Sequence, residues 1–253
     1  MLSGQPVTEA LRAAAPVLAR LGDRLYLPLP HPLLTGAQVG ATVELATLQG
    51  ALVGVDFRQF IPERLCRAVA ARQLSWLAGR LCAEQALLAN GHERAAVSGG
   101  PTGEPCWPAG FVGSITHTVL AAHAAVAPNW ACNGIGIDSQ PVVGLEALSD
   151  IAETCFTPTE RTRWLSGAEA CSRATALFCA KESFYKAAFD RVRRFIHFTE
   201  VEVVDWDLCH GAMTLSLQPS LGVVLKGTVR AHVLRDSKDV VHATVVLSAP
   251  PGG

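Results

Sequence analysis

A long helical stretch followed by a run of strands occurs twice in this sequence, near residues 62 to 127 and again near 168 to 248. In the first copy Leu65, Val69, Leu74, Leu77, Leu81 and Ala86 recur at helical spacing from Pro62 until Asn90-Gly91 stops the helix. In the second, Ala168 to Phe189 reads as the helix, and segments 198–206, 212–217, 222–235 and 239–248, rich in Val and Leu, read as antiparallel strands. A helix with an apolar stripe and strands in hairpin order bury against each other. The order therefore predicts an α+β fold of two similar lobes, each a long helix packed on a mainly antiparallel sheet, over 1–130 and 131–253. The cleft between them is the natural site. No sequence similarity between the halves is evident, so the repeat is one of element order.

The remaining segments are shorter. Thr8 to Leu21 reads as a helical patch, Val39 to Leu48 alternates like a strand, and Leu120 to Ala127 is a buried strand of small residues. Helical patches follow at Leu145 to Glu153 and Thr159 to Leu165, the second entered through Thr157-Pro158-Thr159-Glu160 in the manner of a capped start.

Bulk properties exclude several classes. A net charge of −1 offers no electrostatic footprint for nucleic acid or an anionic membrane. Mean hydropathy is high at +0.27, yet no apolar run approaches the roughly 18 residues of a membrane span. The first residues lack a basic start followed by an apolar core, so the expected location is cytoplasmic. Eight cysteines without a C-x-x-C pair fit a reducing compartment, and eight histidines without an i, i+4 pair give no zinc centre.

Chemistry concentrates in a few places. Phe178, Glu182 and Lys186 fall four residues apart along one side of the second helix, where a solvated Glu-to-Lys pair is the simplest account. However, the chain has only four lysines, at 181, 186, 226 and 238, against seventeen arginines, and two of the four lie here. An ammonium can give up its proton where a guanidinium cannot. Arg72 and Arg80 lie two turns apart on the first helix, about 12 Å along its axis at roughly 1.5 Å per residue. They can hold separated phosphates or simply face water. The Gly/Pro-rich run Ser98 to Gly110 predicts a loop without regular structure, able to wrap a flat ring or a phosphate or merely to connect. Thr116, His117 and Thr118 form a donor cluster, although a lone histidine between strands is often a core residue. In Gly134 to Gln140, alternation puts Asp138 and Gln140 on one strand face and Ser139 on the other. Asp138 suits either a ligand or a turn cap.

Taken together these motifs resemble the phosphopantetheinyl transferases, in particular the larger monomeric class that serves siderophore and other nonribosomal peptide synthetases. Gly113-Ser-Ile-Thr-His-Thr118 resembles the first family motif, Gly136-Ile-Asp138 the second and Lys181-Glu182-x-x-x-Lys186 the third. Arg72-Gln-x-x-x-Leu-Ala-Gly-Arg80 and Gly103-x-Pro-x-Trp-Pro108 resemble further signatures, and the match covers residues 62 to 203 in the family's order. The resemblance implies two pseudo-symmetric lobes with coenzyme A and Mg²⁺ held between them, and transfer of phosphopantetheine from coenzyme A to a serine of an apo carrier protein. It implies that Arg72, Arg80 and His117 bind coenzyme A phosphates with help from Thr116, and that Gly103, Glu104 and Pro105 line the adenine. Asp138 and Glu182 would be the metal ligands, meeting at an inter-lobe crevice, with Glu182 also the base. Lys186 would stabilise the departing 3′,5′-ADP, and Lys181 would contact phosphate from the neighbouring side of the helix.

Two positions depart from the family pattern. Gln140 stands where many relatives have a third acidic ligand, which predicts a weaker Mg²⁺ site or a water in that place. Thr102 stands near where relatives often have a lysine that meets a coenzyme A phosphate, which predicts a reduced affinity for the cofactor or a larger share of it carried by Arg72 and Arg80. Both departures suit the alternative of a non-catalytic module that binds coenzyme A and carrier proteins. A metal-dependent phosphoester hydrolase using Asp138 and Glu182 is a further reading, but it leaves the coenzyme A signatures unexplained.

Overall fold

A computed structural model describes residues 7–32, 37–92, 96–101, 103–222, 225 and 228–248. They divide into two compact units, the first up to Pro30 and on through Asn129, the second from Trp130 onward, which also claims His31. Both combine helices with antiparallel sheet, the α+β class.

In the first unit Val7–Ala14 (α1) and Pro16–Leu21 (α2) are separate helices, because Pro16 lacks the N–H that a continuous helix needs and starts a new one instead. The alternation that reads as a strand through Leu48 ends early, with Val39–Glu44 (β1) giving way to Leu45–Ala51 (α3). Leu45, Leu48 and Leu52 also satisfy helical spacing, and burial of all three decides for the helix. The long helix Ala70–Ala89 (α4) begins at Ala70 rather than Pro62. A short 3-10 turn, Glu63–Leu65, precedes it and is tied on by Gln73, whose amide donates to Leu65 O (2.9 Å) and Cys66 O (3.1 Å).

Ser98–Gly99 (β2) and Pro105–Cys106 (β3) form a two-residue ladder inside the run expected to be irregular. Its turn closes through Gly100 N to Glu104 O (2.8 Å) and uses Gly103 at φ +100°, a conformation glycine adopts without penalty. Phe111–His117 (β4) and Ala121–Pro128 (β5) complete a sheet of order β1-β5-β4. Ala122, Ala124 and Val126 face α4 from the central strand, small enough for the helix to lie close.

In the second unit Cys132–Pro141 (β6) leads to Leu145–Cys155 (α5), Pro158–Trp164 (α6) and the long helix Ala170–Val192 (α7). Four strands follow: Val201–Asp207 (β7), Ala212–Leu217 (β8), Val229–Arg235 (β9) and Val240–Ser248 (β10). The sheet order is β6-β10-β9-β8-β7. In each unit the strand that precedes the long helix pairs with the unit's last strand, β1 with β5 and β6 with β10. Both opening segments read as strands in the sequence, but they lie outside the two repeats of helix then strands.

Two glycines set the distance between β6 and α7. A Cβ added at Gly136 would overlap the Ser183 carbonyl oxygen, and one at Gly134 would overlap that of Ala187. The obstacle is backbone, which cannot rotate away. Gly136→Ala is therefore expected to destabilise the second unit by about 1–3 kcal/mol or more in urea unfolding. Gly50→Ala, where nothing lies within 4 Å, should cost nothing by the same measurement. Equal stability of the two variants would refute the close approach.

Candidate active site

Asp138 lies on β6 and Glu182 on α7, so both carboxylates belong to the second unit. This corrects the expectation that they meet across two lobes. The glycine contact brings the elements together, and Asp138 is 2% exposed. Lys186, one turn beyond Glu182, donates from Nζ to Asp138 Oδ1 (2.7 Å) and to Ile137 O (3.0 Å). The i, i+4 pairing with Glu182 is thus not the one formed, because the buried carboxylate on the neighbouring strand is the stronger partner. The Gln140 amide lies 3.4 Å from Asp138 Oδ2, on the face that alternation predicts. Burial pushes the Glu182 carboxyl above the usual carboxylate range; the Lys186 ammonium opposes this and the negative charge of Asp138 adds to it. The three charges therefore act on one another.

Behind this face Ser139 is fully buried. His31 Nε2 lies 3.1 Å from Asp138 O, which can only accept, so that nitrogen carries the proton. The Ser139 hydroxyl can then donate to His242 Nδ1 (3.0 Å). Neither histidine was distinguished in the sequence.

Lys181 is placed quite differently from its expected phosphate role. It is buried, and its three N–H groups donate to Glu160 Oε2 (2.7 Å), Cys155 O (2.9 Å) and Phe198 O (3.1 Å). No donor is left for a ligand. Glu160 in turn accepts from Thr157 N, in the capping box that starts α6, and from Val203 N (2.7 Å) on β7. Lys181 is a structural cross-link, because all three donors of its ammonium are taken up by protein acceptors.

Beside Glu182 a cavity is lined by Tyr185, Phe195, Ile196, His197 and Phe198. Phe195 is 67% exposed, and Phe198 stacks on Phe178 with ring centroids 5.4 Å apart. The sequence reading missed this wall, since only the fold brings residues 195–198 back onto α7.

The first unit carries a cationic group of its own. Arg80 is 4% exposed and makes no hydrogen bond among the described residues; its guanidinium lies 5.2 Å from the Trp76 ring centre. Arg80 Nε and Trp76 Nε1 are both buried without an acceptor there. Native structures rarely leave such donors unmet, and two together suit an anion. Burial and the neighbouring Arg64 guanidinium lower the Arg80 pKa to about 10. Arg64, unremarked in the sequence, donates to Gly100 O (3.3 Å) and lies against Gly99 and Gly103, where any side chain would displace it. The Glu104 carboxylate lies against Gly100, and Pro105 pairs with Gly99. Thr102 falls outside the described residues.

Arg72 is exposed, unlike Arg80, and its Nη1 lies 2.5 Å from His117 Nε2. A guanidinium only donates, so that imidazole nitrogen is unprotonated. Thr116 projects from the opposite face of β4, in the buried row with His123 and Thr42, and does not share the face of His117. Among the described residues no group of three or more His, Cys, Asp or Glu side chains is placed to hold a metal ion, and no helix is long and apolar enough to cross a membrane.

Comparison with known proteins covers both units. A family model described as 4′-phosphopantetheinyl transferase N-terminal domain matches residues 61–127, and one described as 4′-phosphopantetheinyl transferase superfamily matches 134–245. The chain is 34% identical over 140 residues to 4′-phosphopantetheinyl transferase Npt of Nocardia iowensis, covering 55% of this chain and 62% of Npt. It is 35% identical over 142 residues to 4′-phosphopantetheinyl transferase PptT of Mycobacterium tuberculosis, covering 55% and 61%. Enterobactin synthase component D of Escherichia coli K12 is 30% identical over 145 residues, covering 57% of this chain and 67% of that protein. The chain thus spans about three fifths of the length of the first two relatives.

Proposed function

Because the chain belongs to the 4′-phosphopantetheinyl transferase superfamily, we propose that it transfers phosphopantetheine from coenzyme A to a serine of an apo carrier protein and releases 3′,5′-ADP. The observation that carries this reading is the Lys186–Asp138 ion pair at 2.7 Å with Glu182 near enough for its carboxyl to feel both charges, two carboxylates and an ammonium of the kind that attack on a phosphoryl group and departure of its leaving group require.

Glu182 takes the proton of the attacking serine hydroxyl as the new O–P bond forms. Burial raises its pKa in the cation-free site, and a bound cation would counter that shift. Lys186 stabilises the charge that gathers on 3′,5′-ADP as the old P–O bond breaks. Asp138, Glu182 and the Gln140 amide oxygen would hold Mg²⁺; an all-oxygen set at few protein positions suits that ion, and two like charges in a buried place favour a cation. When bound, Mg²⁺ supplies charge neutralisation at the pyrophosphate. Arg80, Arg64, Arg72 and His117 bind coenzyme A phosphates, the unmet Nε of Arg80 being the best support, with Gly103 to Pro105 along the adenine; Thr116, buried on the opposite face of β4, takes no part. Arg64 takes up the charge missing at Thr102. The cavity beside Tyr185 and Phe195 suits the pantetheine arm, which needs apolar walls near the base. The chain acts as a cytoplasmic monomer on small-molecule and protein substrates, with a net charge of −1 that gives nucleic acid or an anionic membrane no hold.

The test mixes the protein with Mg²⁺, coenzyme A and an apo carrier protein, then weighs the carrier. A gain of one phosphopantetheine supports transfer. An unmodified carrier with bound coenzyme A supports a binding module, and phosphopantetheine released to water supports a hydrolase. In the same assay Arg80→Ala is expected to raise KM for coenzyme A about 10- to 100-fold, the value of one or two charge-assisted hydrogen bonds. An unchanged KM would remove Arg80 from the binding site.

A further inference from the structure

Given Asp138 and Glu182 as cation ligands, the reading above, we propose that Lys186 is the resident counter-ion of Asp138. A divalent cation and this ammonium are then alternative occupants of one carboxylate oxygen, and cation binding expels Lys186 toward the substrate phosphates. Asp138 is 2% exposed, and a buried carboxylate needs a partner. Lys186 supplies it at 2.7 Å on Oδ1, while the Gln140 amide lies 3.4 Å from Oδ2. The chain thus satisfies by itself a carboxylate that the reaction assigns to a metal.

Two cations compete for that oxygen, because each repels the other at contact distance. A divalent ion in contact with Oδ1 would repel an ammonium in the same contact and take up the Asp138 charge that holds it there. Lys186 is equipped to leave, since its side chain is 25% exposed and its four-carbon stem is flexible. Gln140 contributes by omission: an acid there would add a negative charge that one lysine cannot balance. The exchange orders the events, because Lys186 becomes available to a leaving phosphate only once the cation is in place.

Cation binding tests this without turnover. Mn²⁺ is titrated into the full chain without coenzyme A, and free Mn²⁺ is read by electron paramagnetic resonance, for wild type, Lys186→Arg, Lys186→Met and Gln140→Glu. Lys186→Met is expected to bind Mn²⁺ about tenfold more tightly than wild type, since the competitor is gone, whereas Lys186→Arg keeps a competitor and stays near wild type. Gln140→Glu is expected to bind more tightly and to gain more thermal stability from Mg²⁺ than wild type does. If Lys186→Met fails to fold alone, Mg²⁺ should restore its folding by replacing the lost counter-ion; no rescue overturns the proposal. Equal or weaker Mn²⁺ binding by folded Lys186→Met also overturns it and leaves the ligands standing. Absence of Mn²⁺ binding in wild type and every variant overturns the ligand reading itself.

Discussion

Replacing Glu182 by glutamine is expected to lower phosphopantetheine transfer by about 10²- to 10⁴-fold, the range a positioned general base contributes. Glutamine preserves shape and keeps an amide oxygen, so a loss of that size reflects the proton and the charge rather than packing. The pH dependence should carry the same signature. Burial raises the Glu182 carboxyl, Lys186 opposes and Asp138 adds. Only the ionised form accepts a proton, so the rate should fall as pH drops through the Glu182 pKa, and because a bound Mg²⁺ favours the carboxylate, raising Mg²⁺ should draw this limb toward lower pH. Lys186→Met removes the opposing charge and should move this limb to higher pH. Carrier mass measured against time at a series of pH values reads both effects. A Glu182→Gln protein that folds normally and keeps more than about a tenth of the rate would dismiss Glu182 as the base.

Lys181→Met is expected to cost about 3–5 kcal/mol of stability, because it strands a buried carboxylate. Glu160 is fully buried, and although Thr157 N and Val203 N still donate to it, the compensating charge is gone. Lys181 also ties Cys155 O and Phe198 O together, so the ends of α5 and of the aromatic segment loosen as well. Replacing Glu160 by leucine in the same protein should recover part of the loss, as apolar replacements of buried ion pairs often do. Urea unfolding measures each step. A loss under about 1 kcal/mol, typical of an exposed pair, would return Lys181 to the ligand-facing side of α7.

These two residues are neighbours in the sequence, yet nothing in the sequence separates the one that is buried in an ion pair from the other. Periodicity located α7, and strand alternation put Asp138 and Gln140 on one face, as their 3.4 Å approach bears out. Local signals held elsewhere too: Thr157 and Glu160 form the capping box their spacing predicts. Less legible was everything decided by long-range contact. Lys186 passes over Glu182, four residues away, for Asp138 on another element, and Lys181 finds Glu160 on a different helix. A pattern of spacings states which side of a helix a residue occupies; it does not state which side the fold will bury.

The start of α4 was misread for a related reason. Leu65 and Val69 fit the helical period, but Val69 is 74% exposed and the segment before Ala70 turns away. That turn carries Arg64 to Gly99 and Gly103, a contact no local spacing could announce. The glycines that receive it were visible as glycines, while their purpose depended on what came to rest against them.

His31 precedes the whole sheet of the first unit in the chain, yet its imidazole backs Asp138 and Ser139 in the second. Fission between Asn129 and Trp130 would therefore leave the second unit without the imidazole that donates to Asp138 O. A chimaera that borrows this half from another protein inherits the same debt, and its boundary has to be drawn at two places in the gene rather than one.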